Sequence, residues 1–176
     1  MEKKLLKATI APIFQKVEMR GRVTAVVRGP DGEIKQTLVT HNLVTANGDQ
    51  YCAKKLYSAP TAMAGMKLGT ATTAASKTGA GSFQAVADYI AASAVAFDAT
   101  WPKQGATADI AEYKTTWAAG TATNATINRV SIVDNTTNAG EADATHTLAI
   151  AVFSGNINKG ANDTLAVTWD ITFLGS

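Results

Sequence analysis

Side chains able to do chemistry are few in this chain and widely spaced. The two histidines, His41 and His146, have no cysteine or second histidine at ligand spacing, and zinc needs more nitrogen and sulfur ligands than the sequence owns. His41 reads as a polar residue at a strand end in place of a general base. The single cysteine, Cys52, excludes an internal disulfide, and its surroundings suit a buried small hydrophobe better than a nucleophile. Two close carboxylate pairs occur, Asp109/Glu112 and Glu141/Asp143. Dyad chemistry needs carboxyls held in a water-poor cleft, whereas both pairs sit in Gly/Thr/Asn-rich sequence that reads as solvated loop. A small hydrolase built on Asp109/Glu112 is therefore the minor functional reading. The stretch Asp134–Asp143 offers oxygen ligands for calcium, but its spacing is not that of an EF-hand loop.

Phosphate-cradling and nucleophile-elbow motifs are absent, as is any basic stripe interleaved with aromatics of the kind that binds nucleic acid. The sequons at Asn124, Asn135 and Asn162 read as turn residues. Trp101, Trp117 and Trp169 read as core or interface anchors. The expectation is a protein with no catalytic residue, no metal and no cofactor, hence not an enzyme.

The elements around these residues are mostly strands. Hydrophobic content is 46%, largely alanine, with 17% charged and 7% aromatic residues, a balance that suits a β-rich domain and not a helical bundle. Residues 162–173 alternate strictly: Leu165, Val167, Trp169, Ile171 and Phe173 on one face, Ala166, Thr168, Asp170 and Thr172 on the other. Arg22–Arg28 and Glu33–Thr40 form a hairpin about Gly29-Pro-Asp-Gly32, where Pro30 presets φ and Gly32 supplies a positive φ. A helix of about three turns follows, capped by Thr45 or Asn47, with Tyr51, Cys52, Lys55 and Leu56 on its packed face and Pro60 as its stop. Further strands are predicted at Met63–Leu68, after Ala92, and over Ile110–Ala118, Ile127–Val133 and Thr147–Phe153. Residues 69–82 and 134–145 are expected as exposed loops. Short strands, frequent turns and one short helix predict a mainly β fold, an antiparallel β-sandwich or jelly-roll-like domain over 21–176.

Charge is unevenly spread. Residues 1–55 hold ten Lys/Arg against five Asp/Glu, and the remainder six against nine. Residues 1–20 read as a docking arm whose basic groups (Lys3, Lys4, Lys7, Lys16, Arg20, with Arg22 just beyond) would meet an acidic surface, or as a first strand folded back on the domain. No apolar run reaches membrane-spanning length, and the first residues lack a signal-peptide h-region. The expectation is a chain made in a cytoplasm, with no membrane partner.

Two stretches carry a family resemblance. Thr40-His-Asn-Leu-Val-Thr-Ala-Asn-Gly-Asp-Gln-Tyr51 steps from the hairpin into the helix, and Ala151-Val-Phe-Ser-Gly-Asn-Ile-Asn-Lys-Gly-Ala-Asn-Asp-Thr-Leu-Ala-Val-Thr-Trp169 runs into the closing strand. This order resembles small virion structural proteins of tailed bacteriophages. The resemblance covers both ends of the chain and not residues 60–145. It implies a β-sandwich made in the bacterial host cytoplasm and built into the virion. There it would act as a capsid decoration or cement protein touching the major capsid protein and other virion proteins. The alternative it leaves open is a neck, tail or fibre component, including one that binds a host receptor through 69–82 and 134–145. It transfers no catalytic residue. Abundant Ala, Thr and Gly with few charges suit packing beside other copies, so a homo-oligomer is expected, although no heptad or repeat specifies its order.

Overall fold

The computed structural model describes residues 17–70, 74–77, 89–90, 92–134 and 146–175. Strands β1 (Val17–Arg28) and β2 (Ile34–Val44) form the predicted hairpin. Gly32 has φ +84° at its turn, and Gly29 N–H donates to the Glu33 carbonyl at 3.0 Å. The first strand starts before the predicted Arg22. Val17–Arg20, read either as the end of a docking arm or as part of a first strand folded back on the domain, take the second course: they continue β1 and pair with the last strand, Val17 opposite Gly175 and Arg20 opposite Thr172. Residues 1–16 of the expected arm lie outside the described residues.

Helix α1 (Ala46–Lys54) is capped by Thr45, whose hydroxyl accepts from Gly48 N–H at 3.0 Å. The cap is anchored in turn, since Thr45 N–H donates to the Leu148 carbonyl at 3.0 Å. Gly48 is required there: a Cβ would stand 2.2 Å from the Leu148 carbonyl oxygen. The helix is nine residues long, shorter than predicted. Tyr51 and Cys52 pack as expected, but Lys55 and Leu56 do not. Turn hydrogen bonds from Leu56 N–H to Ala53 and from Tyr57 N–H to Lys54 end the helical spacing before either residue reaches the sheet.

The remaining strands are β3 (Gly65–Gly69), β4 (Val95–Ala96), β5 (Lys103–Gln104), β6 (Ile110–Trp117), β7 (Asn124–Val133), β8 (Thr147–Lys159) and β9 (Thr164–Gly175). Among the described residues these form one antiparallel sheet of order β4-β3-β7-β8-β2-β1-β9-β6-β5. The predicted loop 69–82 and the region 83–88 lie mostly outside the described residues.

The sheet curls because β2 belongs to both of its halves. Ile34–His41 pair with β1, whereas Asn42–Val44 pair with Ala149–Ala151 of β8. Where β2 and β8 diverge, side chains replace the ladder. Thr40 Oγ1 donates to the Val152 carbonyl at 2.9 Å, and the Gln36 amide bridges the Asn156 carbonyl and Asn158 N–H at 2.8 and 3.1 Å. The opposite margins also meet: Asp98, just after β4, donates its N–H to Lys114 of β6 at 2.9 Å. Its carboxylate takes both Thr116 N–H and Thr116 Oγ1 at 2.8 Å. The result is a β-sandwich-like fold, as predicted.

Inside lie Val23, Ala25 and Val27 of β1, Leu165, Val167, Trp169 and Ile171 of β9 and Trp117 of β6, facing Met66, Leu68, Val130, Ile132 and Ala149. The predicted alternation of β9 holds up to Ile171; Phe173 emerges at the strand end, 39% exposed. Trp117 is fully buried, and its indole N–H donates to the Ser93 carbonyl at 2.8 Å. Ser93 Oγ in turn bonds Leu68 N–H and C=O at 3.1 and 3.0 Å. At the β8–β9 turn, buried Asp163 accepts Lys35 Nζ at 3.0 and 3.1 Å and Gly160 N–H at 2.9 Å. Buried Lys159 reaches from the same end to the Ala118 carbonyl at 2.9 Å.

Removing a fully buried aromatic leaves a cavity and an orphaned carbonyl. Trp117→Ala is therefore expected to lower the unfolding free energy by about 3–5 kcal/mol in urea titration. The half-buried Trp101→Ala should cost clearly less, and equal losses would contradict this packing.

Candidate functional site

Strands β2, β1, β9 and β6 turn their second face outward, and the register puts its side chains in rows. Thr37, Val26, Ala166 and Thr116 form one row, and Val39, Thr24, Thr168 and Lys114 the next. All of these groups but Lys114 are small or β-branched and uncharged. The third row carries charge: His41, Arg22, Asp170, Glu112 and Lys103 stand opposite one another on successive strands.

The two central carboxylates of this row differ in environment. Glu112 Oε1 accepts the Trp101 indole N–H at 2.9 Å and faces Lys103 Nζ at 3.4 Å. That indole hydrogen bond, helped by Lys103 and Lys114 and opposed by burial, holds the Glu112 carboxyl below the usual range. Asp170 is pushed the other way, first by burial and then by the Glu112 charge, with Arg22 opposing. Lys103 and Lys114 lie over the Trp101 ring, 4.6 and 4.9 Å from its centroid, and Lys114 also pairs with Asp98 at 3.3 Å. Trp101 is thus the half-buried centre of a surface ion network.

A second feature is an apolar groove between α1 and the ends of β1, β6 and β9. One hollow of about 270 Å³ is lined by Met19, Tyr51, Cys52, Tyr113, Ile171 and Phe173 among others. A shallower one shares Met19, Cys52 and Phe173 and extends to Ala53 and Leu56. Its floor is partly buried: burial pushes the Tyr113 phenol up to about 12 and raises the Cys52 thiol, the latter aided by Asp49. Cys52 Sγ lies 3.6 Å from Met19 Sδ, consistent with a small packing group. Beside the groove, Leu56 and Tyr57 are 89% and 75% exposed.

The predicted site residues are scattered across this structure. Lys3, Lys4, Lys7 and Lys16 lie outside the described residues. Arg20 is exposed on β1 and pairs with Glu18 at 3.1 Å; Arg22 stands in the charged row. Both belong to the sheet and not to an arm. Trp117 and Trp169 are core residues, and Trp101 is the surface one. Asp109 and Glu112 do not form a pair: Asp109 is exposed, and Glu112 faces Asp170. Asp134 does not stand free in a loop but meets His146 Nδ1 at 2.8 Å, a contact that neither residue's neighbours in sequence announce. Glu141, Asp143 and the rest of the oxygen-rich stretch lie outside the described residues. Asn124, expected as a turn residue, is instead the first residue of β7, opposite Lys159, with its side chain accepting from Thr126 N–H at 2.7 Å.

Among the described residues no group of three or more His, Cys, Asp or Glu is placed to hold a metal ion, and no helix is long and apolar enough to cross a membrane. No family model, curated protein or solved structure matches the chain.

Two carboxylates give opposite pH signatures. Asp170 has a raised folded pKa, so its charge costs stability at neutral pH, and the cost is relieved as pH falls through that pKa. Asp163 has a lowered pKa, chiefly from its Lys35 hydrogen bond, so it stabilises above its unfolded pKa and the benefit is lost in acid. In urea titrations at pH 7, Asp170→Asn is expected to be more stable than the parent and Asp163→Asn less stable. Both differences should shrink below pH of about 4, and a shared sign at pH 7 would contradict the assignment.

Proposed function

We propose that this chain is a bacteriophage virion structural protein that decorates the outer capsid shell as a cement protein. The observation that carries the reading is the pair of adjoining rows on the outer face of β2, β1, β9 and β6, whose Thr, Val and Ala side chains present area for packing with Lys114 as their one charge. The resemblance supports it too. Its two stretches meet where Asn42 pairs with Ala151 and Thr40 Oγ1 donates to the Val152 carbonyl at 2.9 Å.

In this reading the major capsid protein is the partner, and binding is the sum of weak contacts repeated over the shell. The basic segment before Val17, with Lys3, Lys4, Lys7 and Lys16, reaches an acidic surface of that shell, and Arg20 and Arg22 extend the same charge onto β1. Such contacts weaken as salt rises, because exposed charges are screened within about 8 Å at physiological ionic strength.

The test is binding of purified full-length protein to particles lacking it. Saturable binding that weakens with salt is expected, and the Lys3→Glu/Lys4→Glu/Lys7→Glu variant should fold normally yet bind at least tenfold more weakly. Undiminished binding of that variant would remove the basic segment from the contact. Failure of the parent protein to bind would overturn the decoration role.

A further inference from the structure

The outer face is shared by β2, β1, β9 and β6 in that order, so its midline runs between β1 and β9. Its first row reads Thr37, Val26, Ala166 and Thr116, with a threonine at each end and a small apolar residue on each side of the midline. The second row sets Thr24 and Thr168 on either side. The third reads His41, Arg22, Asp170 and Glu112, basic residues on one side and acidic ones on the other. None of these residues is buried: Thr37, Val39, His41 and Arg22 are exposed and the rest half-buried. Arg22 stands opposite Asp170 within the chain, yet Asp170 Oδ1 has no hydrogen-bond partner. The raised pKa of that carboxyl makes its charge a net cost to the isolated domain, which a second cation beside it would offset.

We propose that this face binds the same face of a second copy of this chain, about a two-fold axis that runs parallel to the strands between β1 and β9. The axis sets β1 against β9 of the second copy and β2 against its β6. Arg22 then meets Asp170 of the other copy and His41 meets Glu112, each contact made twice, as an isologous interface requires. Thr24 meets Thr168 and Val26 meets Ala166, so small groups fill the centre. Lys114 lies beside Val39 at the rim, where its ammonium stays in water. The occupant is a second copy because the charge reverses sign across the midline. A two-fold contact needs that reversal, since each position faces the one across the midline, whereas an unrelated partner sets no such condition. The other in-plane two-fold, crossing the strands at the second row, would lay Arg22 on Val26 and Asp170 on Ala166 and leave every charge unmatched. Three rows on four strands span on the order of 400 Å² per copy, at ~6.8 Å between rows and ~4.8 Å between strands. That is about half of one side of a standard interface, so the dimer is weak and depends on concentration. It forms in the free protein, and Lys3, Lys4, Lys7 and Lys16 stay available for the shell contact proposed above.

The test is sedimentation equilibrium of the full-length protein up to about 1 mM, where weak dimers populate. The parent is expected to move from the 18.3 kDa chain mass toward twice that mass as concentration rises. Arg22→Asp makes both inner positions of the charged row acidic, and Asp170→Arg makes both basic. Each variant alone, checked for folding by circular dichroism, should dimerise about tenfold more weakly or worse. Mixed one to one, the two complement each other and should associate at least as tightly as the parent. Should Asp170→Arg misfold, Thr24→Glu and Thr168→Lys, at half-exposed positions that face each other across the axis, form a second complementary pair for the same mixing. A parent that keeps the chain mass at the highest concentration overturns the proposal. So does association left unchanged in Arg22→Asp, or a mixture no tighter than its components. None of these results bears on binding to particles, which is measured separately.

Discussion

Burial of one face of β9 is the constraint on which the rest of the structure depends. Leu165, Val167 and Trp169 are fully buried and Ile171 nearly so, with β1 along the whole strand on one side and β6 along eight residues on the other. A strand with four large apolar groups on one side has a single acceptable register, since a slip of one residue would put all of them in water. Fixing that register fixes the opposite side as well. Ala166, Thr168 and Asp170 must face outward, and with them the neighbouring residues of β1 and β6. The core and the outer face are thus two consequences of the same alternation.

Among the described residues the sheet ends in two very short strands. The terminal strands β4 and β5 are two residues long each, and Asp98 ties the β4 margin to β6. Short, tied edges discourage uncontrolled strand addition. Association must then use surfaces with defined outlines: the Thr/Val/Ala rows, the network around Trp101 and the groove beside α1. For a protein proposed to work in many adjacent copies, this separates specific packing from open-ended aggregation.

Much of this was legible in the sequence, and the remainder fails for identifiable reasons. The hairpin, the Thr45 cap and β9 rest on local rules, namely a positive φ at Gly32, an orphan helix N–H and strict alternation. The start of β1 was left between an arm and a first strand, because Val17–Arg20 become a strand only through pairing with the far end of the chain. The Glu112–Asp170 contact depends on the register of β6 against β9, and the nearer carboxylate Asp109 was the misleading neighbour. Lys67, Arg129 and Lys159 are buried although nothing in their local pattern marks them as interior. The groove draws residues from strands and helix that no single window of sequence contains.

The measurement that bears most directly on the proposed role is the copy number of this protein in purified virions, by quantitative mass spectrometry against the major capsid protein. A decoration protein is predicted to be present at the same order as the shell protein. A few to a few dozen copies would contradict decoration and place the chain in the neck, tail or fibres. Absence from the particles would contradict a virion role altogether.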